Sequence, residues 1–456
     1  MATIHKKHEN WSSRFTFLLA AVGAAVGLGN IWKFPYVTGQ NGGSAFVLVY
    51  FLAVAFVALP ILIAEIAVGR WGRQSPPNAM MNVARGQGRS GAWSLVGWFG
   101  MLAAYMIATY YSVIAGWSVV YIFKNGGGNF EGQSAAVVSA EFDALLADPL
   151  QLGLWHGIFM LICTFILARG LQKGIESTVK ILMPALFALL LAMVVYGIAE
   201  GNMPKALHFM FDFDLSAISG KMILMAVGQA FFSIGVAMGL MMGFGAYLPR
   251  EVSIARSAVI IAGMDTMVAI IAGLAIFPIV FANGLDPAEG PGLIFVSLPL
   301  AFGSVTGGLI FGTLFFILLF FAALTSVIAT VEPMIAWVEE RFRMGRRKSA
   351  ITVCLSILIL GMGTVFSFNL WSEWRPLAAF ERYADFGYFE IIDYLTANIM
   401  MPLGGLLLAI FVGWRVKPEA IEKELQIKNR ALFRAWFWLL RWVAPVSIAL
   451  ILASGL

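Results

Sequence analysis

An apolar run of about twenty residues can cross the roughly 30 Å of hydrocarbon in a bilayer as a helix, and this sequence holds about eleven of them. They lie near residues 14–39, 44–69, 92–123, 153–171, 176–199, 218–247, 254–283, 306–338, 349–369, 387–414 and 433–455. In lipid every backbone N–H and C=O must be paired inside the protein, which restricts such runs to helices. Apolar residues are 60% of the 456 and charged residues 12%, outside the soluble range. The fold class is an all-α polytopic membrane protein.

Basic residues orient it. With the N-terminus inside, the inner segments hold Lys6, Lys7 and Arg14, then Arg70, Arg73, Arg85 and Arg89, then Arg169 and Lys173, Arg250 and Arg256, the cluster Arg341 to Lys348, and a basic run from Arg415 to Arg441. The outer loops hold few, chiefly Lys124, Lys205, Lys221, Arg375 and Arg382. This asymmetry predicts a cytoplasmic N-terminus in the plasma (inner) membrane, and an odd number of spans puts the C-terminus outside. The net charge of +5 follows from topology and does not indicate nucleic acid. A cleaved signal peptide is the rival reading of the first run, which however continues through Lys33 and Pro35 instead of ending at a small-residue site.

One run is a poor plain helix. Gly23, Gly27 and Gly29 are followed by Asn30, Lys33 and Pro35, and each glycine costs about 1 kcal/mol relative to alanine in a helix interior. A break at membrane depth is tolerated only where it lines a cavity. Bare carbonyls and Asn30 are thereby placed to bind a cation and a small substrate. Five spans later, Ala226 to Gly239 repeats the device with small and polar residues at mid-membrane. Two interrupted segments in corresponding positions point to inverted repeats with a site between them.

Other spans contain isolated polar groups. Glu65, in an otherwise apolar run, is expected to face the interior as a strut for the broken helices. Gly174 and Pro184 mark the inner end of the fifth span as a place where the helix could unwind, opening a water path to the cytoplasm. Asn125 to Leu152 reads as a long outer loop, and Asn283 to Phe302, with Pro287, Pro291 and Pro299, as an outer segment able to fold over the cavity. An amphipathic linker, Pro418 to Asn429, leads to the last span. Cys163 and Cys354 lie in apolar runs and read as core packing, with neither a disulfide nor metal-ligand spacing. His5, His8, His156 and His208 are scattered, no phosphate-binding loop follows a strand, and no serine has a plausible base. The chain does not read as an enzyme, and no organic cofactor is expected.

The motif Gly27-Leu-Gly-Asn-Ile-Trp-Lys-Phe-Pro35, the Asn41-Gly-Gly43 turn, Tyr110-Tyr111, Gly228-Gln229-Ala-Phe-Phe-Ser233 and Ala322-Ala-Leu-Thr-Ser326 together resemble the neurotransmitter:sodium symporters with the LeuT fold. Each motif alone is weak; five in order over nearly the whole chain are specific. The resemblance implies a 5+5 inverted repeat with broken first and sixth helices. On that pattern residues 1–13 are a cytoplasmic tail, 14–199 the first repeat, 200–217 an outer loop, 218–415 the second repeat and 416–456 the linker and eleventh span. Short termini and eleven spans resemble bacterial amino-acid symporters of this family, expected as a monomer or weak dimer in the bilayer.

Carried over residue by residue, the resemblance implies two sodium ions. One would sit between the Ala25 carbonyl, Asn30, Ser233, Asp265 and the substrate carboxylate. The other would sit between the carbonyls of Gly23, Val26 and Ala322 and the hydroxyls of Thr325 and Ser326. The substrate carboxylate would meet the Leu28 and Gly29 amides and Tyr111, and its ammonium the carbonyls of Ala25, Phe232 and Ser233. Its side chain would lie among Ala24, Ile107, Phe232, Gly235, Met238, Ser326 and Thr330, a neutral set favouring a neutral or hydrophobic amino acid. Lys33 with Asp393 resembles the outer gate, with lysine in place of the usual arginine. Trp11 and Glu340 match the inner gate, braced by Tyr247, while His8 occupies the family's arginine position. Tyr50, Gln229 and Ser233 fit the chloride-site neighbourhood, but Ala269 replaces its serine and Asp265 supplies a fixed negative charge. Chloride-independent symport, with possible proton return on Asp265, is the expectation; a transporter of another amine or a betaine-like solute is the alternative.

Overall fold

The structure, a computed structural model, describes residues 10–288 and 292–455, and no strand occurs among them. Nine helices there are long and apolar enough to cross a membrane, ten when the two halves of the first span, Arg14–Ala25 and Gly29–Gln40, are counted together. The outer half of the sixth span, Gly220–Ile234, is too short alone; Leu240–Ala246 continues it across a break and makes eleven.

The uninterrupted spans are Ser44–Gly72, Gly91–Gly126, Pro149–Ala168, Leu171–Glu200, Ile254–Ala282, Gly308–Phe342, Arg346–Ser367, Tyr388–Arg415 and Arg430–Ala453. An inner helix, Pro76–Gly86, follows the second span. The long outer excursion is itself partly helical, Ala135–Ala147, because Val138 and Leu145 are buried and Phe142 stacks on Phe295 at 5.5 Å. Overlapping the proline-bearing segment Asn283 to Phe302, expected to be able to fold over the cavity, a short apolar helix, Leu293–Ser304, packs against the third and first spans. The Tyr121 hydroxyl donates to its Phe295 carbonyl at 2.8 Å, and Trp32 of the first span meets the Phe295 ring at 6.5 Å.

Both interruptions are built from backbone that L-residues avoid or that the helix ladder cannot use. The first span bends by 47° where Val26 turns extended, with φ −69° and ψ 108°. In the sixth span Gly235, Ala237 and Gly239 all take the left-handed conformation, at φ 69°, 65° and 72°. For alanine this costs on the order of 1 kcal/mol. The Glu65 carboxylate stabilises the strained turn by accepting from the Ala237 N–H at 2.8 Å, the strut its position in the second span suggested.

The fifth span is continuous. Its inner end, Leu171–Glu176, is a π-helical turn, and Ser177–Glu200 runs on as an α-helix through Pro184. The helix that Gly174 and Pro184 marked for unwinding is therefore intact in this arrangement. Its register is held by Glu176, which accepts from the Ser12 N–H at 2.7 Å and its hydroxyl at 2.5 Å.

Close backbone approach locks the second span to the inner half of the sixth. A side-chain carbon on Gly69 would strike the Met242 carbonyl, and one on Gly245 would stand 2.6 Å from the Ile66 carbonyl. Small residues at such crossings are how apolar helices associate without a hydrophobic driving force. Gly69→Val is expected to destabilise the purified protein by about 1–3 kcal/mol through overpacking, read as a lowered unfolding midpoint in detergent. Gly263→Ala, with no atom within 4 Å of the added carbon, should leave it unchanged; equal effects would refute the packing argument.

Candidate functional site

The two breaks face one another, and the freed polar groups are paired across them. The Gln229 amide donates to the Gly29 carbonyl at 2.8 Å, while the Asn30 side-chain oxygen accepts from the Gly27 N–H at 3.0 Å. The other end of Asn30 reaches the seventh span, donating to the Asp265 carboxylate at 2.8 Å, the Asp265 carbonyl at 3.0 Å and the Ser233 hydroxyl at 2.9 Å. Ser233 donates to Asp265 at 2.7 Å, and Tyr50 to Ser233 at 3.2 Å and Asp265 at 3.4 Å. Asp265, Asn30 and Tyr50 are fully buried, so this carboxylate is surrounded by neutral donors instead of a fixed cation. Ala269, one turn further along the same helix, is also fully buried and offers no hydroxyl.

On the opposite side of the first break lies a second set of oxygens. Ser326 donates to the Ala24 carbonyl at 3.3 Å and the Val26 carbonyl at 3.2 Å. Thr325 donates to the carbonyls of Phe321 at 3.0 Å and Ala322 at 3.1 Å. Gly23 abuts this group, since a side-chain carbon there would stand 3.4 Å from Thr325 Cβ and 2.8 Å from Met183 Sδ. Thus Gly23, Val26, Ala322, Thr325 and Ser326, far apart in sequence, come together. Hydroxyl, carboxylate and carbonyl oxygens suit a hard cation.

Between the two clusters is a small cavity with about 30 Å³ of free space. Ala24, Ala25, Gly29, Ile107, Tyr111, Phe232, Ser233, Gly235, Met238, Ser326 and Thr330, which the resemblance grouped around a substrate, line it. Leu28 does not; its N–H donates to the Tyr111 hydroxyl at 2.7 Å, so backbone and phenol meet at the cavity wall. Gly27 does line it, and a carbon added there would strike the Ser326 and Tyr111 oxygens. The sequence signal for Gly27 was its place in the glycine series. No acidic or basic side chain lines the cavity.

The ends of the site depart from expectation. Lys33 makes no ion pair with Asp393 among the described residues; its ammonium sits over the Phe232 ring at 4.1 Å from the centroid. A cation over an aromatic face is attracted by the ring quadrupole, and Phe232 is thereby covered from the outer side. On the inner side, Trp11 donates its indole N–H to the Phe244 carbonyl at 3.0 Å and packs edge-on against Tyr247 at 6.5 Å. Glu340, expected to join them, is turned away. It accepts from the Ser75 N–H at 2.7 Å, the Ser75 hydroxyl at 2.5 Å and Asn78 at 2.7 Å, holding the start of the inner helix. His8 lies outside the described residues.

The carboxylate that does meet Tyr247 is Glu332, at 3.3 Å, and it forms a two-pronged ion pair with Arg346 of the ninth span. Glu332 is almost wholly buried, and Arg346 also donates to the Leu167 carbonyl at 2.7 Å. Arg346 had registered in the sequence only as one basic residue of an inner cluster; the clue was Glu332, a carboxylate in an apolar run that needed a partner.

The profile of the sodium:neurotransmitter symporter family matches residues 8–131 and 149–454. An uncharacterized sodium-dependent transporter of Bacillus subtilis (strain 168) is 34% identical over 98% of this chain and 97% of its own. One from Haemophilus influenzae is 32% identical over the full length of both. The crystal structure of MhsT in complex with L-phenylalanine superposes with a TM-score of 0.90, at 37% identity over 99% of this chain and 100% of that one.

Breaking a buried ion pair by removing one partner costs about 3–5 kcal/mol, whereas replacing both partners with neutral groups is far milder. Arg346→Met should therefore lower the unfolding midpoint in detergent strongly, and Glu332→Gln/Arg346→Met should regain most of the loss. A double variant as unstable as the single one would show that the pair is not coupled.

Proposed function

Since the chain belongs to the sodium:neurotransmitter symporter family, we propose that it carries a neutral or hydrophobic amino acid into the cell with two sodium ions, independently of chloride. It is a sodium-dependent transporter and not an enzyme. The observation that carries the finer reading is the cavity at the facing helix breaks, flanked on one side by Asn30, Ser233 and Asp265 and on the other by Thr325 and Ser326.

In this reading the helix-break amides of Leu28 and Gly29 and the Tyr111 hydroxyl take the substrate carboxylate, which displaces the hydrogen bond between the Leu28 N–H and Tyr111, because N–H groups and the partial positive charge of a helix start suit an anion. The ammonium turns to the carbonyls of Ala25, Phe232 and Ser233. The substrate carboxylate also completes the first sodium site with the Ala25 carbonyl, Asn30, Ser233 and Asp265. Each ligand then raises the affinity of the other by the same factor. The second sodium, at Gly23, Val26, Ala322, Thr325 and Ser326, ties the first span to the eighth. Its departure frees the inner half of the first span, and movement of one repeat against the other gives alternating access.

Neutral lining residues exclude a compensating charge for an acidic or basic side chain; Gly235 and Ala24 enlarge the pocket, Ile107 and Met238 partly refill it, and the pliable Met238 would have to move for a bulky side chain to enter the roughly 30 Å³ now free. That MhsT, at 37% identity, was crystallised with L-phenylalanine supports the class. Asp265 supplies the negative charge that chloride would otherwise bring, and Ala269 offers no hydroxyl to hold the anion. After sodium leaves, Asp265 is placed to return a proton. We place the N-terminus in the cytoplasm and the protein in the plasma membrane, from the basic inner segments.

In proteoliposomes an inward sodium gradient should drive accumulation of a labelled neutral amino-acid mixture, with no change when gluconate replaces chloride. Potassium in place of sodium should abolish it. Tyr111→Phe removes one hydrogen bond to a charged group, worth about 1.5–3 kcal/mol, and should raise the KM about tenfold or more. A chloride requirement would refute the role given to Asp265. Competition by betaine or another amine, with every amino acid failing, would replace the substrate class.

A further inference from the structure

Between the tenth and eleventh spans lies a groove of about 540 Å³, separate from the transport cavity. Gly413 brings the two helices together beside it, since a side-chain carbon there would stand 3.2 Å from Arg441 Cα. The walls are apolar, with Leu406, Ile410, Pro445 and Val446 among them. Its mouth is built differently, from Trp414, Arg415, Arg441 and Trp442.

That mouth is organised around two positive charges. The Arg441 guanidinium lies over the Trp414 ring at 4.4 Å and near Trp442 at 5.9 Å. Trp414 donates its indole N–H to the Arg441 carbonyl at 3.2 Å, and the two tryptophans meet edge to face at 4.7 Å. Arg441 Nε is buried without a hydrogen-bond partner. Among the described residues neither Arg415 nor Arg441 forms an ion pair; the bridges lie elsewhere, and Glu424 of the nearby linker is committed to Arg70. The stretch between the two spans and the start of the eleventh are also net basic, with Lys417, Lys423, Lys428, Arg430 and Arg434 against Glu419, Glu422 and Glu424. Tryptophan with arginine marks the level where headgroups meet hydrocarbon.

We propose that this groove binds an anionic glycerophospholipid of the cytoplasmic leaflet, with its phosphate between Arg415 and Arg441 and an acyl chain along the apolar wall. The assignment to that leaflet rests on the orientation argued above; the binding chemistry does not. A zwitterionic lipid brings no net charge to offset the two guanidinium groups, and a free phosphate leaves the apolar wall without a role. Basic pockets between spans on the cytoplasmic side are a recurrent form of acidic-lipid site, and the volume falls in the roughly 300–1,000 Å³ range of small-molecule sites.

The test is native mass spectrometry of the full-length protein titrated in detergent with dioleoylphosphatidylglycerol or dioleoylphosphatidylcholine. The wild type should bind the first phosphatidylglycerol saturably and more tightly than phosphatidylcholine. Arg415→Gln/Arg441→Gln should weaken it about thirtyfold, on the scale of two basic contacts to an acidic lipid. Val446→Trp, which fills the groove and keeps both arginines, should weaken it as well and decides the matter if the arginine variant does not fold. Phosphatidylglycerol binding unchanged in either folded variant, or equal binding of phosphatidylcholine, overturns the proposal. So does displacement of the lipid by an equal concentration of glycerol 3-phosphate, which would make this a site for soluble anions.

Discussion

A helix interrupted inside a bilayer exposes backbone groups that lipid cannot satisfy, each at a cost of several kcal/mol, and the placement of buried polar side chains in this protein follows from that demand. At the first break Asn30 takes the Gly27 N–H, Tyr111 the Leu28 N–H, Gln229 the Gly29 carbonyl, and Ser326 the carbonyls of Ala24 and Val26. At the second, Glu65 takes the Ala237 N–H. These partners come from the second, third, sixth and eighth spans as well as the first. The break is thus a point on which the bundle converges.

Buried charge is handled in two ways that differ in consequence. Asp265 is held by neutral donors, Asn30, Ser233 and Tyr50, an arrangement that leaves its negative charge available to a mobile cation. Glu332 is instead matched by the guanidinium of Arg346, which neutralises it locally and ties the eighth span to the ninth next to Tyr247. The inner face adds two further carboxylate clasps, Glu176 on Ser12 and Glu340 on Ser75 and Asn78. Each fastens the start of a helix, that of the first span or of the inner helix, by hydrogen bonds that water could replace. The outer side is secured differently, by the Lys33 ammonium over Phe232, a contact that depends on no carboxylate.

How much of this could be read beforehand varies by the kind of signal. Glycines and an asparagine in an apolar run announce a break whatever the tertiary context, because propensity and desolvation both oppose a plain helix there. The cavity lining was legible only through the family resemblance, carried over residue by residue; Gly27 was not among the residues carried over, and Leu28 meets Tyr111 through its backbone N–H instead of lining the cavity, because which residue of an irregular turn faces a cavity is set by backbone dihedrals, not by residue type. Glu340, expected in the inner gate with Trp11, is held by Ser75 and Asn78 while Glu332 meets Tyr247, because a long helix carries several carboxylates at its end and which neighbour each one meets is a tertiary matter. The π turn at Leu171–Glu176 also had no signature, as the clasp that holds it arrives from Ser12, more than 150 residues away.

The sequence by itself determined that the chain crosses the bilayer about eleven times, where its first and sixth helices break, and that oxygen-bearing residues sit at those depths, since hydropathy, glycine content and intramembrane polarity are local properties. Only the tertiary structure decided which oxygens face one another across the breaks, that Arg346 pairs with Glu332, that Lys33 covers Phe232, and that a basic-mouthed groove lies between the last two spans. Those are distances between residues remote in the chain, fixed by how closely glycines such as Gly69, Gly245 and Gly413 let neighbouring backbones approach.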